Sequence, residues 1–167
     1  TAIESVVATT LEDLSGFNVN VTVDSVPGVT GTVAQLKMGA IEAQCDFAEK
    51  ATSCVIKVAI PATDRRVWTP ADPNLYNFTV TLSCPDAGPG HNSAVLDTVQ
   101  SYSALRTVGK LSSVETGGRT ITRLTLNGKR AYLIGTLDQG FWPESVYTAP
   151  TDEALASDLK SLKLLGF

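Results

Sequence analysis

Three cysteines, one histidine and two Asn-x-Thr sequons are the residues of this chain whose types and spacing could carry chemistry on their own. Cys45 and Cys54 fall in adjacent strand-like segments and could staple a hairpin through a disulfide. Cys84 would then be unpaired, or paired with a cysteine outside this chain. The thiols do not read as a metal site, because there is no Cys-x-x-Cys pair and the single histidine, His91, lies in a Gly/Pro loop. No metal and no cofactor is expected. Asn20-Val21-Thr22 and Asn77-Phe78-Thr79 fit the glycan acceptor pattern, so Asn20 and Asn77 are candidate glycosylation sites of an extracellular, secreted protein. Thr1-Ala2-Ile3-Glu4 has neither a basic start nor a long apolar stretch. It reads as a start in mid-protein or after processing rather than as a leader.

Composition bounds the partners. Hydrophobic residues make up 43% of the 167 and charged residues 18%, which is enough apolar material for a sizeable core. The net charge is −4. A nucleic-acid partner is not expected, because binding phosphates needs a basic face. No apolar run approaches the roughly 20 residues of a membrane span, so no membrane partner is expected either.

The elements that must position these residues are mostly strands. Phe17 to Val23 alternates apolar and polar positions, the period of a half-buried strand. Val26-Pro27-Gly28-Val29 breaks it. Val33 to Leu36 and Ala40 to Phe47 follow, and Cys54 to Ile60 alternates again until Pro61. In Leu75 to Cys84, Phe78, Val80 and Leu82 share one face. Short strands with turn signals about every 8–12 residues predict an antiparallel β-sandwich. Pro85 to Asn92 is turn-rich, and Asp97 to Tyr102 is a further strand-like run that would complete the sandwich. Thr116 to Arg119 marks a tight turn. Asn127-Gly128, between Thr120–Leu126 and Arg130–Leu133, is a strong hairpin signal.

The texture changes after residue 150. Leu155, Leu159, Leu162 and Leu165 share one helical face, Thr151 is placed to cap it, and Asp152 and Glu153 suit the positive end of the helix dipole. Lys160 and Lys163 suit the other end, and Gly166 is a natural stop. The stripe must be buried against something. Strand-like Ala131 to Leu137, a loop, and this helix read either as one βα unit of a larger array or as a terminal helix docked on the sandwich.

Three stretches together resemble glycoside hydrolase family 2, the group of β-galactosidases, β-glucuronidases and β-mannosidases. Trp68-Thr69-Pro70-Ala71-Asp72-Pro73-Asn74-Leu75-Tyr76 is similar to the family's Trp-x-Pro-x-x-Pro-x-Leu-Tyr phrase, which closes its immunoglobulin-like domain. Tyr102-Ser103-Ala104-Leu105-Arg106 resembles the Gly-x-Arg segment entering the catalytic barrel, with Ala104 where the family usually has glycine. Leu126-Asn127-Gly128-Lys129-Arg130-Ala131-Tyr132-Leu133-Ile134-Gly135 is similar to its Leu-Asn-Gly-Lys-x-x-x-Leu-Arg-Gly hairpin and first barrel strand, with Ile134 in place of the usual arginine. The resemblance covers residues 60 to 167 in order and spacing. Trp68, Leu75 and Tyr76 are weighed as core packing before carbohydrate contact.

The resemblance implies a mainly β chain. Residues 1–108 would form an immunoglobulin-like antiparallel β-sandwich, and residues 109–167 a linker hairpin and the first βα unit of a truncated TIM barrel. It also implies retaining hydrolysis by two glutamates, with carboxyls about 5 Å apart, on later barrel strands. No residue here is nominated as catalytic. Glu144, the tempting acid, reads as a solvent-facing loop residue. Active sites of barrel enzymes lie at the C-terminal ends of the strands. The loop after Gly135 therefore supplies the candidate substrate-binding residues Asp138, Gln139 and Trp142, in a loop where the family's Asn-x-His pattern is absent. Asp138 could accept from sugar hydroxyls, and Trp142 could stack on a pyranose ring or plug the barrel mouth.

Three functional expectations follow. The chain is a non-catalytic portion of a retaining β-glycosidase, inactive alone, which meets carbohydrate through the intact enzyme. Alternatively it is a stand-alone binding or structural β-sandwich. In the third, it is one chain of a split or processed glycosidase, completed by the remainder of the polypeptide or another copy.

Overall fold

The structure, a computed structural model, describes residues 1–25, 31–84 and 94–167. The Val26 to Val29 break, the Pro85 to Asn92 turn region and His91 lie outside the described residues. The chain divides into two compact units. One comprises residues 1–109 with 126–128; the other comprises 110–125 and 129–167.

The first unit is a sandwich of two antiparallel sheets. One sheet has the order β1-β2-β5, from β1 (Ile3–Thr10), β2 (Gly16–Val23) and β5 (Ser53–Ala59). The other runs β4-β3-β6-β7, from β3 (Val33–Met38), β4 (Ile41–Asp46), β6 (Tyr76–Cys84) and β7 (Ala94–Ser103). Alternation in the sequence becomes alternation in burial. Phe17, Val19, Val21 and Val23 of β2 point inward, as do Ile56 and Val58 of β5. Leu36 of β3 and Phe78, Val80 and Leu82 of β6 meet them. A fully buried side chain of this kind contributes roughly 1.5–3 kcal/mol, so the facing rows dominate the unit's stability.

The two sheets are joined at both edges. At one, the Ile3 backbone N–H donates to the Asp97 carboxylate at 2.8 Å and the Thr10 hydroxyl to the Ala104 carbonyl at 3.0 Å, linking β1 to β7 and the residue after it. At the other edge a disulfide joins Cys45 to Cys54, with Cα atoms 6.0 Å apart. This corrects the expected hairpin staple. Cys45 lies on β4 and Cys54 on β5, and these strands belong to different sheets. The chain crosses from one sheet to the other between them, so the bridge pins sheet to sheet. Cys84 is a free, buried thiol.

The second unit holds most of a hairpin formed by β8 (Val108–Val114) and β9 (Thr120–Leu126), the short β10 (Lys129–Arg130) and the helix α1 (Asp152–Leu164). Gly117 and Gly118 carry the left-handed backbone of the β8–β9 turn. The expected strand from Ala131 to Leu137 does not form: pairing stops at Arg130, apart from one bond from Ala131 to the Leu124 carbonyl. A strand exists only by bonding a neighbour, and this segment has none among the described residues. The helix forms where expected, and the Thr151 hydroxyl accepts from the Ala154 N–H at 3.1 Å. Its leucine stripe is only partly covered. No residue of α1 is buried; of the stripe, Leu162 is half-buried, while Leu159 and Leu165 are 62% and 75% exposed. No helix among the described residues is long and apolar enough to cross a membrane.

Candidate functional site

The aromatic, proline-rich segment of the first unit is held by backbone and side-chain bonds. The Tyr76 hydroxyl donates to the Asp64 carbonyl at 2.8 Å and accepts from the Arg66 N–H at 2.6 Å, while its ring meets Phe17 edge-on at 5.8 Å. Trp68 is half-buried beneath the Arg106 guanidinium, which lies 4.7 Å from its ring centre. That contact is a cation–π pair. Trp68 donates its backbone N–H to the Leu105 carbonyl, and Leu105 is fully buried. Leu75, by contrast, faces solvent.

Asn127 does more than turn the chain. It and Gly128 both adopt positive φ, as the tight hairpin turn requires. Its side-chain amide also donates to the Trp68 carbonyl at 2.9 Å and accepts from the Thr107 N–H at 3.0 Å. One residue thereby ties three segments that are distant in sequence. The Asn-Gly pair signalled the turn, but nothing local signalled the clamp.

The proposed sugar-facing loop belongs to the second unit. Asp138 is exposed, and its Oδ1 accepts from the Gly140 N–H at 2.8 Å, closing a local Asx turn. It lines a cleft of about 260 Å³ beside the helix residues Leu155, Asp158, Leu159 and Leu162. Gln139 is exposed and Trp142 half-buried, and neither lines that cleft. Trp142 instead pairs with Val146 through two backbone bonds of 2.8 and 3.0 Å, and the flanking rings of Phe141 and Tyr147 meet at 4.9 Å. Glu144, inside that turn, is exposed.

Carboxylate environments decide what chemistry is available. Among the described residues no Asp or Glu is buried, and Asp97 alone is half-buried, occupied by the Ile3 and Thr98 N–H groups. A general acid needs a carboxyl pushed upward by burial or by a like charge. The resolved shifts run the other way. The Ser15 hydroxyl, then its N–H, lowers Asp13; the Ala2 N–H, then the Ser25 hydroxyl, lowers Asp24. Glu153 is lowered by its own N–H and then by the Thr151 hydroxyl. These are turn and cap anions. No group of three or more His, Cys, Asp or Glu among the described residues is placed to hold a metal ion.

The two sequons sit on strands. Asn20 is half-buried in β2, the middle strand of its sheet, and its Nδ2 donates to Thr22 Oγ1 at 3.5 Å. Asn77 is exposed near the start of β6.

No protein-family model matches the sequence, and no curated protein matches it. Solved structures do. The exo-chitosanase CsxA of Amycolatopsis orientalis matches 98% of this chain with a TM-score of 0.60 at 20% identity, and the match spans 18% of that protein. The β-glucuronidase of Bifidobacterium dentium, solved with coumarin-3-O-glucuronide, matches 96% with a TM-score of 0.58 at 18% identity, over 25% of its length. At these identities the likeness is one of fold. The chain has the fold of β-domains found in glycosidases and spans a quarter or less of those two proteins.

Proposed function

We propose that this chain is a non-catalytic portion of a retaining β-glycosidase of glycoside hydrolase family 2. The sandwich is then its immunoglobulin-like domain. Residues 109–167 are then a linker hairpin followed by the opening segment, active-site loop and first helix of a (β/α)8 barrel. The carrying observation is that the fold likeness runs over nearly the whole chain, so it includes the partly covered tail as well as the sandwich. The physical state of that tail supports the reading. A would-be strand with no neighbour and a helix with a leucine stripe only partly covered are what one stave of a closed barrel amounts to by itself. A stand-alone binding sandwich leaves this apolar surface without a purpose. A split enzyme, completed by a second chain or copy, would cover it just as well. The inter-sheet disulfide and the two sequons support secretion.

On this reading, sugar specificity and both catalytic glutamates belong to the rest of the enzyme, and Asp138 is the contribution of this chain to the pocket. Its Oδ1 serves the Asx turn, while Oδ2 accepts no hydrogen bond among the described residues and remains for a sugar hydroxyl. Losing a hydrogen bond to a charged group costs about 1.5–3 kcal/mol. Asp138→Ala in the intact glycosidase is therefore expected to lower kcat/KM by roughly 10- to 100-fold while the unfolding midpoint holds. Asp138→Asn keeps the turn and separates the two roles. Unchanged kinetics in Asp138→Ala would remove Asp138 from the pocket.

A further inference from the structure

The outer face of the four-stranded sheet carries a concavity that no part of the proposed function uses. It measures about 490 Å³, and its lining includes Lys37, Gly39, Asn77, Thr79, Gln100 and Tyr102. Strand geometry fixes which side chains face it. Phe78 points into the core, so Asn77 and Thr79 point outward, side by side. Asn77 and Thr79 are the acceptor and the hydroxyl residue of one sequon. On β7, Tyr102 stands directly opposite Asn77 in the register and is 65% exposed. Side chains so paired lie about 4.5–5.5 Å apart at Cβ, which is within the reach of one sugar ring.

We infer that Asn77 is a glycan attachment site whose first N-acetylhexosamine lies in this concavity against the ring of Tyr102. In the modifying step the Asn77 Nδ2 attacks the anomeric carbon of a polyprenyl-pyrophosphate-linked oligosaccharide. The bond from that carbon to the pyrophosphate oxygen breaks, the lipid pyrophosphate leaves, and Nδ2 gives up one proton. The bound sugar presents an apolar face of axial hydrogens to Tyr102. Its hydroxyl and acetamido groups meet Gln100 and Thr79, with the Lys37 ammonium at the rim, where it also pairs with Glu42 at 3.2 Å. Gly39 leaves the floor open: a Cβ there would meet nothing within 4 Å. Asn20 lacks such a bed. It is half-buried between Val7 and Val55, with no aromatic neighbour in register, and its amide is engaged with Thr22.

The inference needs passage through a secretory pathway but not glycosidase activity, so it stands or falls separately from the proposed function. The test is secretion of the chain from a eukaryotic host, glycopeptide mass analysis, and thermal unfolding of protein recovered from the medium. Asn77 is expected to carry glycan. Asn77→Gln is expected to lower Tm by about 2–4 °C, the shift that a contact of ordinary strength produces in a chain of this size. In a Tyr102→Ala background the same substitution should change Tm by less than about 1 °C, and Tyr102→Phe should restore the difference. Unmodified Asn77 in the secreted protein overturns the inference. So does a Tm difference of the same size with and without the Tyr102 ring.

Discussion

Gly16→Ala is expected to destabilise the sandwich by at least about 3 kcal/mol and to lower Tm by roughly 6–12 °C. A Cβ on Gly16 would lie 1.9 Å from the Val58 carbonyl oxygen and 3.1 Å from the Ala59 Cα. Both are backbone atoms of the neighbouring strand, so no side-chain rotation relieves the overlap. Nor can the strands move apart cheaply. Gly16 pairs with Ala59 and the adjacent Phe17 with Val58, and Phe17 is buried against the core. The chain is fixed on both sides of the clash, because Ile60 donates to the Ser15 carbonyl and Leu11 to the Gly16 carbonyl. Gly39→Ala is the control. It meets no atom within 4 Å and faces only the left-handed backbone penalty, about 1–2 kcal/mol. Urea unfolding of the two variants checks the contrast; equal midpoints would refute the packing at the start of β2.

The second large effect concerns α1. In the 167-residue chain alone, its amides are expected to exchange within roughly 100-fold of unstructured peptide, while those of β2 and β6 are protected by roughly 10⁴-fold or more. The helix has 13 residues and none of them is buried. Helices shorter than about 12–15 residues are marginal in water without a packed face, and here one hydroxyl cap and a local cleft must do the work. The sandwich strands cannot open without exposing Val19, Leu36, Ile56 and Val80. Covering the leucine stripe should raise α1 protection toward that of the strands. Protection of α1 equal to that of β2 in a monomeric chain would mean that the stripe is already satisfied, and the barrel reading would lose its physical support.

Local periodicity made the sandwich legible. Phe17 to Val23, Cys54 to Ile60 and Phe78 to Leu82 alternate in the sequence and in burial alike. Strands with weaker alternation were harder to see. β1 is an edge strand with an irregularity between Ile3 and Ser5, and every residue of β8 is exposed, so neither leaves a two-residue hydrophobic period. The cysteine pair was visible, but whether it closes a hairpin or joins two sheets depends on where the chain crosses over, which spacing does not encode. Ala131 to Leu137 has strand composition, yet composition cannot supply the neighbour that a strand needs. In the candidate site, Asp138 follows from resemblance to a family and not from any local pattern. Its Asx turn with Gly140 is local, whereas the clamp made by Asn127 depends on a side chain meeting backbone 20 and 59 residues away, which no local pattern encodes.

Hydrolysis of chromogenic β-glucosaminide, β-glucuronide, β-galactoside and β-mannoside by the purified chain, with its mass verified at 167 residues, separates a structural portion of an enzyme from an enzyme. The described carboxylates lack the burial that would make one of them a general acid, so the expected rate is that of buffer. Turnover that follows the chain through purification, at anything near the roughly 1–10³ s⁻¹ of ordinary enzymes, would contradict the assignment of the catalytic glutamates to polypeptide outside it.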